Sequence, residues 1–332
     1  MSQLAKIKQF FEEREAISVS AIEKEAKLSK GRLRKILIGE GAMTPLVINR
    51  LRPVLENYGF SLGFRSTTIS FYNYKGGVGK TTSVLSIGAC LAKLGYKVLL
   101  VDFDGQANLT RSCGFTSRTR DIFAEEGPQV ENYRIVQSGS LKRRIDLITS
   151  DIALHEREKD FGNRMDYYEL LDKKLQKFKD EYDFILIDNC PGINDFPKLS
   201  IMASDYVMIP TQAEWDSIAG IPAAKELLEV FKEEKNRTVP LLGVFVTMYS
   251  NNQVAQEISL EELQNAHGDN LMKTIIPRNT AIQQARLTNK DILRYSRASD
   301  ATKAYMELTE EMLRKLGFDK DKTKTAKAAT AK

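Results

Sequence analysis

The segment with the clearest chemistry is glycine-rich and reads Lys75-Gly76-Gly77-Val78-Gly79-Lys80-Thr81-Thr82. It lies between the apolar run Ile69–Tyr72, which predicts a buried strand, and a predicted helix over 80–94. A glycine-rich turn of this kind lets successive backbone N–H groups surround an anion, and the helix N-terminus adds partial positive charge. At such a turn Lys80 supplies a cation to terminal phosphates, and the Thr81 hydroxyl is available to ligate Mg²⁺. The segment therefore predicts a site for the phosphates of a nucleotide.

Carboxylates follow two other apolar runs. Val98–Phe103 leads into Asp102-Phe103-Asp104-Gly105-Gln106-Ala107-Asn108, and Phe184–Ile187 leads into Asp188. The carboxyl ends of parallel strands meet at the ligand crevice of a doubly wound sheet, so we expect these acids beside the glycine-rich turn. Asp102 and Asp104, two residues apart on extended backbone, share one face. Asp188 has the position of an acid that holds Mg²⁺ directly or through water.

One position departs from the usual phosphate-loop pattern. Tyr74 stands where that pattern has its first glycine, and Lys75 follows it. With this early lysine, the motif resembles the deviant-Walker P-loop ATPases of the ParA/MinD family. The resemblance spans about residues 67–315 and implies ATP and Mg²⁺ as ligands. It also implies that Lys75 reaches across a dimer interface to the phosphates bound by the other subunit.

By this resemblance, the two acids after the second strand have different roles. Asp104 positions or activates the attacking water, as phosphoryl transfer requires. Asp102 has a structural role, or it contacts the groups that bind the metal without binding the metal itself. The matching family stretch is Asp-x-Asp-Pro-Gln-Gly-Asn, and this chain has Gly105 and Ala107 at its proline and glycine positions. The acids, the glutamine and the asparagine are retained.

Later segments extend the resemblance to the whole site. Met248 and Pro277 are expected to line the adenine base, and residues 211–214 match a loop that faces the dimer partner. The predicted catalytic residues are Lys75, Lys80 and Asp104. The predicted metal ligands are Thr81 and Asp188. The predicted nucleotide contacts are Lys75, Gly76, Gly77, Val78, Gly79, Lys80, Thr81, Thr82, Met248 and Pro277.

The elements that must position these residues alternate from Thr67 onward. Apolar runs of strand length are Ile69–Tyr72, Val98–Phe103, Ile145–Ile148, Phe184–Ile187, Tyr206–Ile209, Leu241–Met248 and Leu271–Ile276. Most are continuously apolar, as in strands that are buried on both faces of a parallel sheet. Helical segments supply the connections and lie near 80–94, 166–180, 216–234, 253–266 and 300–315. The sequence predicts an α/β P-loop NTPase with a mostly parallel, doubly wound sheet over residues 67–318.

Residues 1–60 predict a small all-α module, followed by a linker over 61–66. Ser18–Leu37 resembles a helix-turn-helix of the phage-repressor kind, in which Ser29 caps the second helix. The outer face of that helix is basic and carries a glycine, which would permit close approach to the major groove. The candidate DNA contacts are Ser29, Lys30, Gly31, Arg32, Arg34, Lys35 and, on a late segment, Lys273. The alternative is a small helical bundle with a solvated basic face.

Basic charge is concentrated at both chain ends. Residues 1–65 hold twelve Lys or Arg and seven Glu, and the tail over 319–332, predicted to be disordered, is also basic. This distribution suggests an anionic polymer as partner. The sequence has no signal-peptide pattern and no apolar window near the roughly 18 residues that span a bilayer. Its three cysteines have no metal-like spacing. We therefore expect a reduced, cytoplasmic protein without a membrane partner.

The favoured interpretation is an ATPase that partitions plasmid or chromosomal DNA. ATP binding would close a sandwich homodimer, which binds nucleoid DNA without sequence preference. A centromere-binding partner of the ParB type would stimulate hydrolysis, and intrinsic turnover should be slow because the chain supplies no evident arginine finger. The N-terminal module could bind operator DNA for autoregulation. Two alternatives stay open: a repressor that uses ATP only as a ligand, and a MinD-like positioning ATPase, which the composition of the tail disfavours.

Overall fold

A mostly parallel sheet organises the larger part of the chain. In the computed structural model the described residues are 3–14, 16–58, 66–116, 120–138, 141–154, 156–157, 167–192, 194–218, 220–235, 237–250 and 253–318. Two compact units are formed, one by Ser66–Leu316 and the other including Met1–Arg65, and each has its own hydrophobic core. The predicted tail over 319–332 and positions 61–65 of the predicted linker lie outside the described residues.

Within the described residues, seven strands form one sheet in the order β3-β4-β2-β5-β1-β6-β7. The strands are β1 (Thr67–Phe71), β2 (Val98–Phe103), β3 (Val130–Ser138), β4 (Leu141–Ile148), β5 (Phe184–Asn189), β6 (Tyr206–Gln212) and β7 (Leu241–Thr247). Neighbouring strands are parallel except for β3, which runs antiparallel to β4 at one edge. The predicted α/β P-loop fold is confirmed.

Helices occur in both units, and four in the larger unit were not predicted from the sequence: Asn108–Ser112, Asp195–Met202, Thr280–Leu287 and Ile292–Tyr295. The N-terminal unit contains α1 (Gln3–Glu13), α2 (Val19–Glu25), α3 (Arg32–Leu37) and α4 (Pro45–Asn57). The larger unit contains α5 (Lys80–Lys93), α6 (Asn108–Ser112), α7 (Leu170–Leu175), α8 (Asp195–Met202), α9 (Trp215–Ile218), α10 (Gly220–Lys235), α11 (Val254–His267), α12 (Thr280–Leu287), α13 (Ile292–Tyr295) and α14 (Asp300–Lys315). Among the described residues, none of these helices combines the length and apolar character that crossing a bilayer demands.

Successive residues of β2 face opposite layers of the larger unit. Leu99 and Val101 belong to a core that also contains Leu199 of α8. Leu100 instead faces α5, where a Cβ added to Gly88 would lie 2.8 Å from the Leu100 Cδ2 atom. Gly88 therefore allows α5 to lie close against the sheet. Because both faces of β2 are covered, its sequence is continuously apolar rather than alternating.

The predicted strand over Leu271–Ile276 is wrong. This segment forms isolated bridges to its neighbours instead of a ladder. The backbone N–H groups of Lys273 and Thr274 donate to the two carboxylate oxygens of Glu311 on α14, at 2.7 and 3.0 Å. A backbone donor that binds a side chain cannot continue a strand ladder. Pairing of this segment with β7 is therefore limited to the isolated bridge between Leu271 and Val244 and to single backbone hydrogen bonds, such as the one from the Ile276 N–H to the Val246 carbonyl.

Two other elements differ from the prediction. The predicted helix over 166–180 is, in its described part, the short α7 between 3-10 turns at Tyr167–Glu169 and Gln176–Phe178. Strand β3 was not predicted because its apolar residues are irregularly spaced: Tyr133 and Val136 are buried, whereas Ile135 is 59% exposed. Its pairing with β4 also shifts register between Asn132 and Arg134, and in an isolated sequence such a stretch is hard to distinguish from a polar loop.

The predicted cap of α3 in the N-terminal unit is also wrong. Gly31, with φ of 77°, is the N-cap residue, so it precedes α3 and does not lie on the outer face of that helix. The cap is supplied by Glu23 of α2, whose buried carboxylate accepts hydrogen bonds from the backbone N–H groups of Gly31, Leu33 and Arg34. A carboxylate from the preceding helix thus replaces the expected hydroxyl of Ser29.

Candidate nucleotide site

The glycine-rich loop joins β1 to α5 and contains two backbone conformations that favour glycine. Gly77 has φ of 76° and Gly79 has φ of 89°, values at which a side chain is strained. Val78 between them is buried, and its carbonyl accepts a 2.8 Å hydrogen bond from the Thr247 hydroxyl at the end of β7. Gly76 and Gly77 are exposed. The loop is therefore held from behind by the sheet, and its glycine backbone is open to a phosphate.

Lys80 is the buried cation of this loop. Its Nζ atom donates to the carbonyl oxygens of Asn73, at 2.8 Å, and Lys75, at 2.9 Å. Burial lowers the pKa of Lys80, and the negative charge of Asp188 opposes that change. Asn73 is itself fixed by a 2.8 Å hydrogen bond to the Pro210 carbonyl on β6. The ammonium group thus lies inside the curve of the loop, where nucleotide phosphates would neutralise it.

Lys75 contacts a different part of the protein. Its Nζ atom lies 2.9 Å from the Ser217 hydroxyl and 3.7 Å from the Glu214 carboxylate, both in the segment that follows β6. The Lys75 side chain is 29% exposed and that of Glu214 is 45% exposed. The resemblance predicts that residues 211–214 form a loop facing the dimer partner. It gave no signal for Ser217, which lies on the four-residue helix α9.

Asp188 ends β5 directly beside Asp102. The strand register pairs Asp188 with Asp102 on one side and Phe71 on the other. Asp188 is fully buried, and neither of its carboxylate oxygens has a hydrogen-bond partner among the described residues. Burial and the charge of Asp102 raise the pKa of Asp188 well above its usual value, although the Thr81 hydroxyl and Lys80 oppose this. Burying an ionised carboxylate that has no hydrogen-bond partner costs folding free energy unless a nearby cation neutralises its charge.

Asp102 fixes α6, the helix that follows the turn after β2. Its Oδ2 atom accepts two 2.7 Å hydrogen bonds, from the backbone N–H and the hydroxyl of Thr110 in α6. Burial raises the pKa of Asp102 to about 7, and these hydrogen bonds oppose the shift. The Thr110 hydroxyl also accepts a 3.0 Å bond from the backbone N–H of Ser150 after β4. No sequence pattern pointed to Thr110, and its second partner, Ser150, becomes a neighbour only because β4 pairs with β2.

Asp104 lies in the turn between β2 and α6. It is 5% exposed, and its Oδ1 atom accepts a 2.9 Å hydrogen bond from the backbone N–H of Gln106. Ala107 in the same turn has φ of 49°. This left-handed conformation costs an alanine roughly 1 kcal/mol relative to glycine, which accounts for the glycine that the resembling family has there. The turn keeps the Asp104 carboxylate close enough to Asp188 for its negative charge to raise the pKa of Asp188.

Thr81 and Asp188 form the donor set that fits a magnesium ion. The described residues include no group of three or more His, Cys, Asp or Glu side chains that could hold a metal by themselves. Mg²⁺ bound together with a nucleotide needs only one or two protein ligands, because phosphates and water supply the others. The unpartnered carboxylate of Asp188 and the hydroxyl of Thr81 beside it suit this kind of site.

Of the two residues expected near the base, Met248 lies beside the glycine-rich loop, directly after β7. The Met248 Cε atom would lie 3.5 Å from a Cβ added to Gly79, so Met248 covers the end of the loop. The Gln212 amide donates to the Met248 sulfur at 2.9 Å. Pro277 bridges to Tyr249 and, with residues of α14, lines a cleft of about 290 Å³. Met248 therefore lies at the phosphate loop, and Pro277 lies at the adjoining cleft.

The residues predicted to contact DNA fall in both units. In the N-terminal unit, the exposed candidates are Ser29, Lys30, Arg34 and Lys35. The half-buried candidates are Gly31 and Arg32. The Arg32 guanidinium donates to the Ala42 carbonyl at 3.4 Å. Lys273 is an exposed residue of the larger unit. The first six therefore lie in or just before α3 of the N-terminal unit, and Lys273 lies in the other unit.

The fold and the site together define a P-loop nucleoside triphosphatase: a glycine-rich loop after a central parallel strand, a buried lysine, and acids at the ends of two neighbouring strands. The family model for an AAA domain matches residues 66–241 of the chain. With this match and the relatives below, the chain belongs to the ParA/MinD-type P-loop ATPases. The match begins after the N-terminal unit, whose helix-turn-helix character stays a prediction.

Two relatives and one solved structure illustrate the similarity. Sporulation initiation inhibitor protein Soj of Bacillus subtilis (strain 168) is 30% identical, over 74% of this chain and 97% of its own length. Chromosome-partitioning ATPase Soj of Treponema pallidum (strain Nichols) is 30% identical, over 75% of this chain and 98% of its own length. The ATP complex of a McdA variant from Cyanothece matches with a TM-score of 0.66 at 19% identity, over 78% of this chain and 99% of that chain.

Proposed function

We propose that this chain is a DNA-partition ATPase whose ATP-bound form is a homodimer. The observation that carries the proposal is the difference between the two lysines of the glycine-rich loop. Lys80 is buried against the carbonyls of its own loop, whereas Lys75 is partly exposed and contacts the segment after β6. One cation therefore serves the nucleotide of its own subunit. The other is proposed to leave its contacts with Ser217 and Glu214 and to reach the phosphates of a second subunit.

Each residue of the site is proposed to have a separate role in ATP hydrolysis. The glycine backbone and Lys80 bind and orient the phosphates, and Thr81 and Asp188 hold Mg²⁺, which supplies charge neutralisation at the phosphates when bound. Asp104 accepts or orients the proton of the attacking water. Asp102 keeps α6 in place through Thr110, and so fixes the turn that carries Asp104. Met248 and Pro277 contact the adenine.

The dimer is proposed to bind nucleoid DNA in the cytoplasm without sequence preference, and to be released after hydrolysis. A ParB-type protein bound at a centromere stimulates that hydrolysis, and intrinsic turnover is slow because no arginine of the site residues faces the phosphates. The basic face of the N-terminal unit is proposed to bind operator DNA. The names of the Soj relatives, one of which is called a chromosome-partitioning ATPase, support the partition role.

The test is size-exclusion chromatography with light scattering, in ATP and in ADP, beside ATP turnover. We expect a dimer in ATP only, a monomer for Lys75→Ala under both conditions, and a stable ATP dimer for Asp104→Ala with turnover lowered at least about 100-fold. Lys232→Ala is the matched control, because Lys232 is an exposed lysine distant in sequence from the loop. Dimerisation of Lys75→Ala on ATP would overturn the role given to Lys75.

A second candidate function is an ATP-liganded transcriptional repressor, which the exposed basic face of the N-terminal unit favours. In that case the Asp104→Ala variant should repress normally, since hydrolysis would have no part in operator release. In the partition proposal the same variant should fail to segregate DNA while operator binding persists. A plasmid-retention assay run beside an operator-binding assay separates the two functions.

A further inference from the structure

A turn over residues 190–192 follows β5 and is fastened to the segment that leads into the glycine-rich loop. The Gly192 N–H donates a 2.9 Å hydrogen bond to the Tyr74 carbonyl. The Gly192 carbonyl accepts a second bond of 2.9 Å, from the Tyr72 hydroxyl. Both polar backbone atoms of Gly192 are therefore bonded to residues that lie between β1 and the loop.

Tyr72 is itself held firmly in the core of the larger unit. It is 1% exposed, and its side chain belongs to the hydrophobic cluster that contains Ile209 of β6. Its backbone N–H donates to the Met208 carbonyl at 3.0 Å. Burial raises the pKa of Tyr72 to about 12, so the hydroxyl stays protonated and remains a donor at neutral pH. A fixed residue of the core thus holds a turn at the carboxyl end of β5.

The contact with Tyr74 fixes the peptide group that precedes Lys75. The carbonyl of this peptide accepts from Gly192, and its N–H, which belongs to Lys75, donates to the Asn73 Oδ1 atom at 2.9 Å. On the other side, the Lys75 carbonyl accepts a 2.9 Å bond from the Lys80 ammonium group. The backbone of Lys75 is therefore fixed on both sides of its Cα atom, whereas its side chain is 29% exposed.

We infer that Tyr72 and Gly192 are positioning residues for Lys75. They fix the backbone from which the Lys75 side chain reaches the phosphates bound by a second subunit. If this backbone were free in the monomer, it would have to be ordered when the subunits associate, and that ordering opposes association. The inference rests on the proposed function for the role of Lys75, and it adds the residues that keep the lysine in place.

Gly192 offers a second way to disturb the same contact. Its φ is 105°, a conformation in which a side chain is strained. A Cβ added to Gly192 would meet no atom of the described residues within 4 Å. Gly192→Ala should therefore strain the turn without causing a clash, whereas Tyr72→Phe removes only the hydroxyl that holds the turn.

The test compares the ATP-dependent dimerisation of Tyr72→Phe, Gly192→Ala and wild type by analytical ultracentrifugation, beside the binding of a fluorescent ADP derivative. We expect the dissociation constant of the ATP dimer to rise about 10-fold in each variant, because backbone freedom is lost again in both subunits on assembly. The affinity for ADP should match that of wild type, since the glycine backbone and Lys80 bind it within one subunit. A purely structural defect would not separate these two measurements.

Tyr182→Phe is the matched control. Tyr182 is 2% exposed, and its hydroxyl donates to the Asp146 carboxylate at 2.7 Å. It precedes β5, so it lies at the end of the sheet opposite to the glycine-rich loop. Both tyrosine variants lose one buried hydrogen bond and should lower the unfolding temperature by similar amounts. Only Tyr72→Phe should weaken the dimer.

The outcomes separate this inference from the proposed function. If wild type forms no dimer in ATP, the proposed function and the inference fail together. If wild type dimerises and both Tyr72→Phe and Gly192→Ala dimerise equally well, the proposed function stands and the inference is wrong. The inference is also wrong if ADP affinity falls in parallel with dimerisation, or if Tyr182→Phe weakens the dimer to the same extent. Should Tyr72→Phe fail to fold, the result for Gly192→Ala decides.

Discussion

Lys75 and Glu214 lie 3.7 Å apart, nitrogen to oxygen, within one subunit. The same ammonium group donates a 2.9 Å hydrogen bond to Ser217, three residues beyond Glu214. In the proposed dimer, Lys75 must leave these partners to reach phosphates on the other subunit. The contact between Lys75 and Glu214 is therefore expected to favour the monomer. Breaking this contact makes the free energy of dimerisation less favourable.

Glu214→Gln should promote dimerisation in ATP. The pair is partly exposed, so it contributes about 0.2 to 1 kcal/mol in each subunit, and because both subunits lose it the concentration at which half the protein is dimeric should fall about two- to thirty-fold. Analytical ultracentrifugation with ATP measures this. Glu229→Gln is the matched control, because it breaks another exposed Lys–Glu pair, with Lys232. If Glu214→Gln weakens the dimer, Glu214 is instead an interface contact.

The chain's single tryptophan should report dimer formation. Trp215 directly follows Glu214 and is 70% exposed. When a second subunit covers this segment, the Trp215 side chain loses water contact and its emission should move to shorter wavelength. We expect the change with ATP, not with ADP, and not in Lys75→Ala. An ATP dimer with unchanged emission would show that the segment after β6 stays outside the interface.

Asp188→Asn should stabilise the protein without nucleotide and remove its response to Mg-ATP. Because burial raises the pKa of Asp188 in the folded state, this group favours unfolding at pH values above its usual range, and its removal should raise stability at pH 7 by about 1 to 3 kcal/mol. The gain should shrink near pH 4. Thermal unfolding with and without Mg-ATP measures both effects, and the exposed Asp180→Asn is the control. A destabilised variant that still responds to Mg-ATP would exclude Asp188 as a metal ligand.

His267 should make stability depend on mildly acidic pH. Its Nδ1 atom lies 3.0 Å from the Lys225 Nζ atom, and burial together with this cation lowers the pKa of His267. The unfolded chain therefore binds a proton before the folded one, so stability is lost as pH falls below about 6.5. His267→Gln should lose less stability between pH 7 and 5.5. An NMR titration that places the pKa of His267 at or above its usual value would contradict this.

Glu23→Ala should destabilise the second and third helices of the N-terminal unit. The Glu23 carboxylate accepts three backbone hydrogen bonds at the start of α3 and is 4% exposed. Its loss should cost roughly 3 kcal/mol, because buried N–H groups are left without an acceptor. Hydrogen exchange over residues 18–37 in the full chain measures this. The exposed Glu12→Ala should stay within about 0.5 kcal/mol of wild type, and equal protection in both variants would rule out the cap.

The sequence alone determined the chemistry that is local in the chain. The phosphate loop is contiguous, and its glycines, its two lysines and its hydroxyl are all read from residues 75–82. Asp104 and Asp188 were placed by the apolar strands before them, because parallel strands bring their carboxyl ends to one edge. The fold class followed from the alternation of buried strands and helices, since strands covered on both faces must be apolar throughout.

Only the tertiary structure decided the partners that are distant in sequence. It placed Ser217 beside Lys75, joined Ser150 to Thr110, and brought Arg286 to Asn108. It also added the edge strand β3 and replaced the expected strand over 271–276 by a segment bound to a side chain. Strand order and helix packing decide which distant polar groups meet, and a single sequence carries no periodic signal for such contacts.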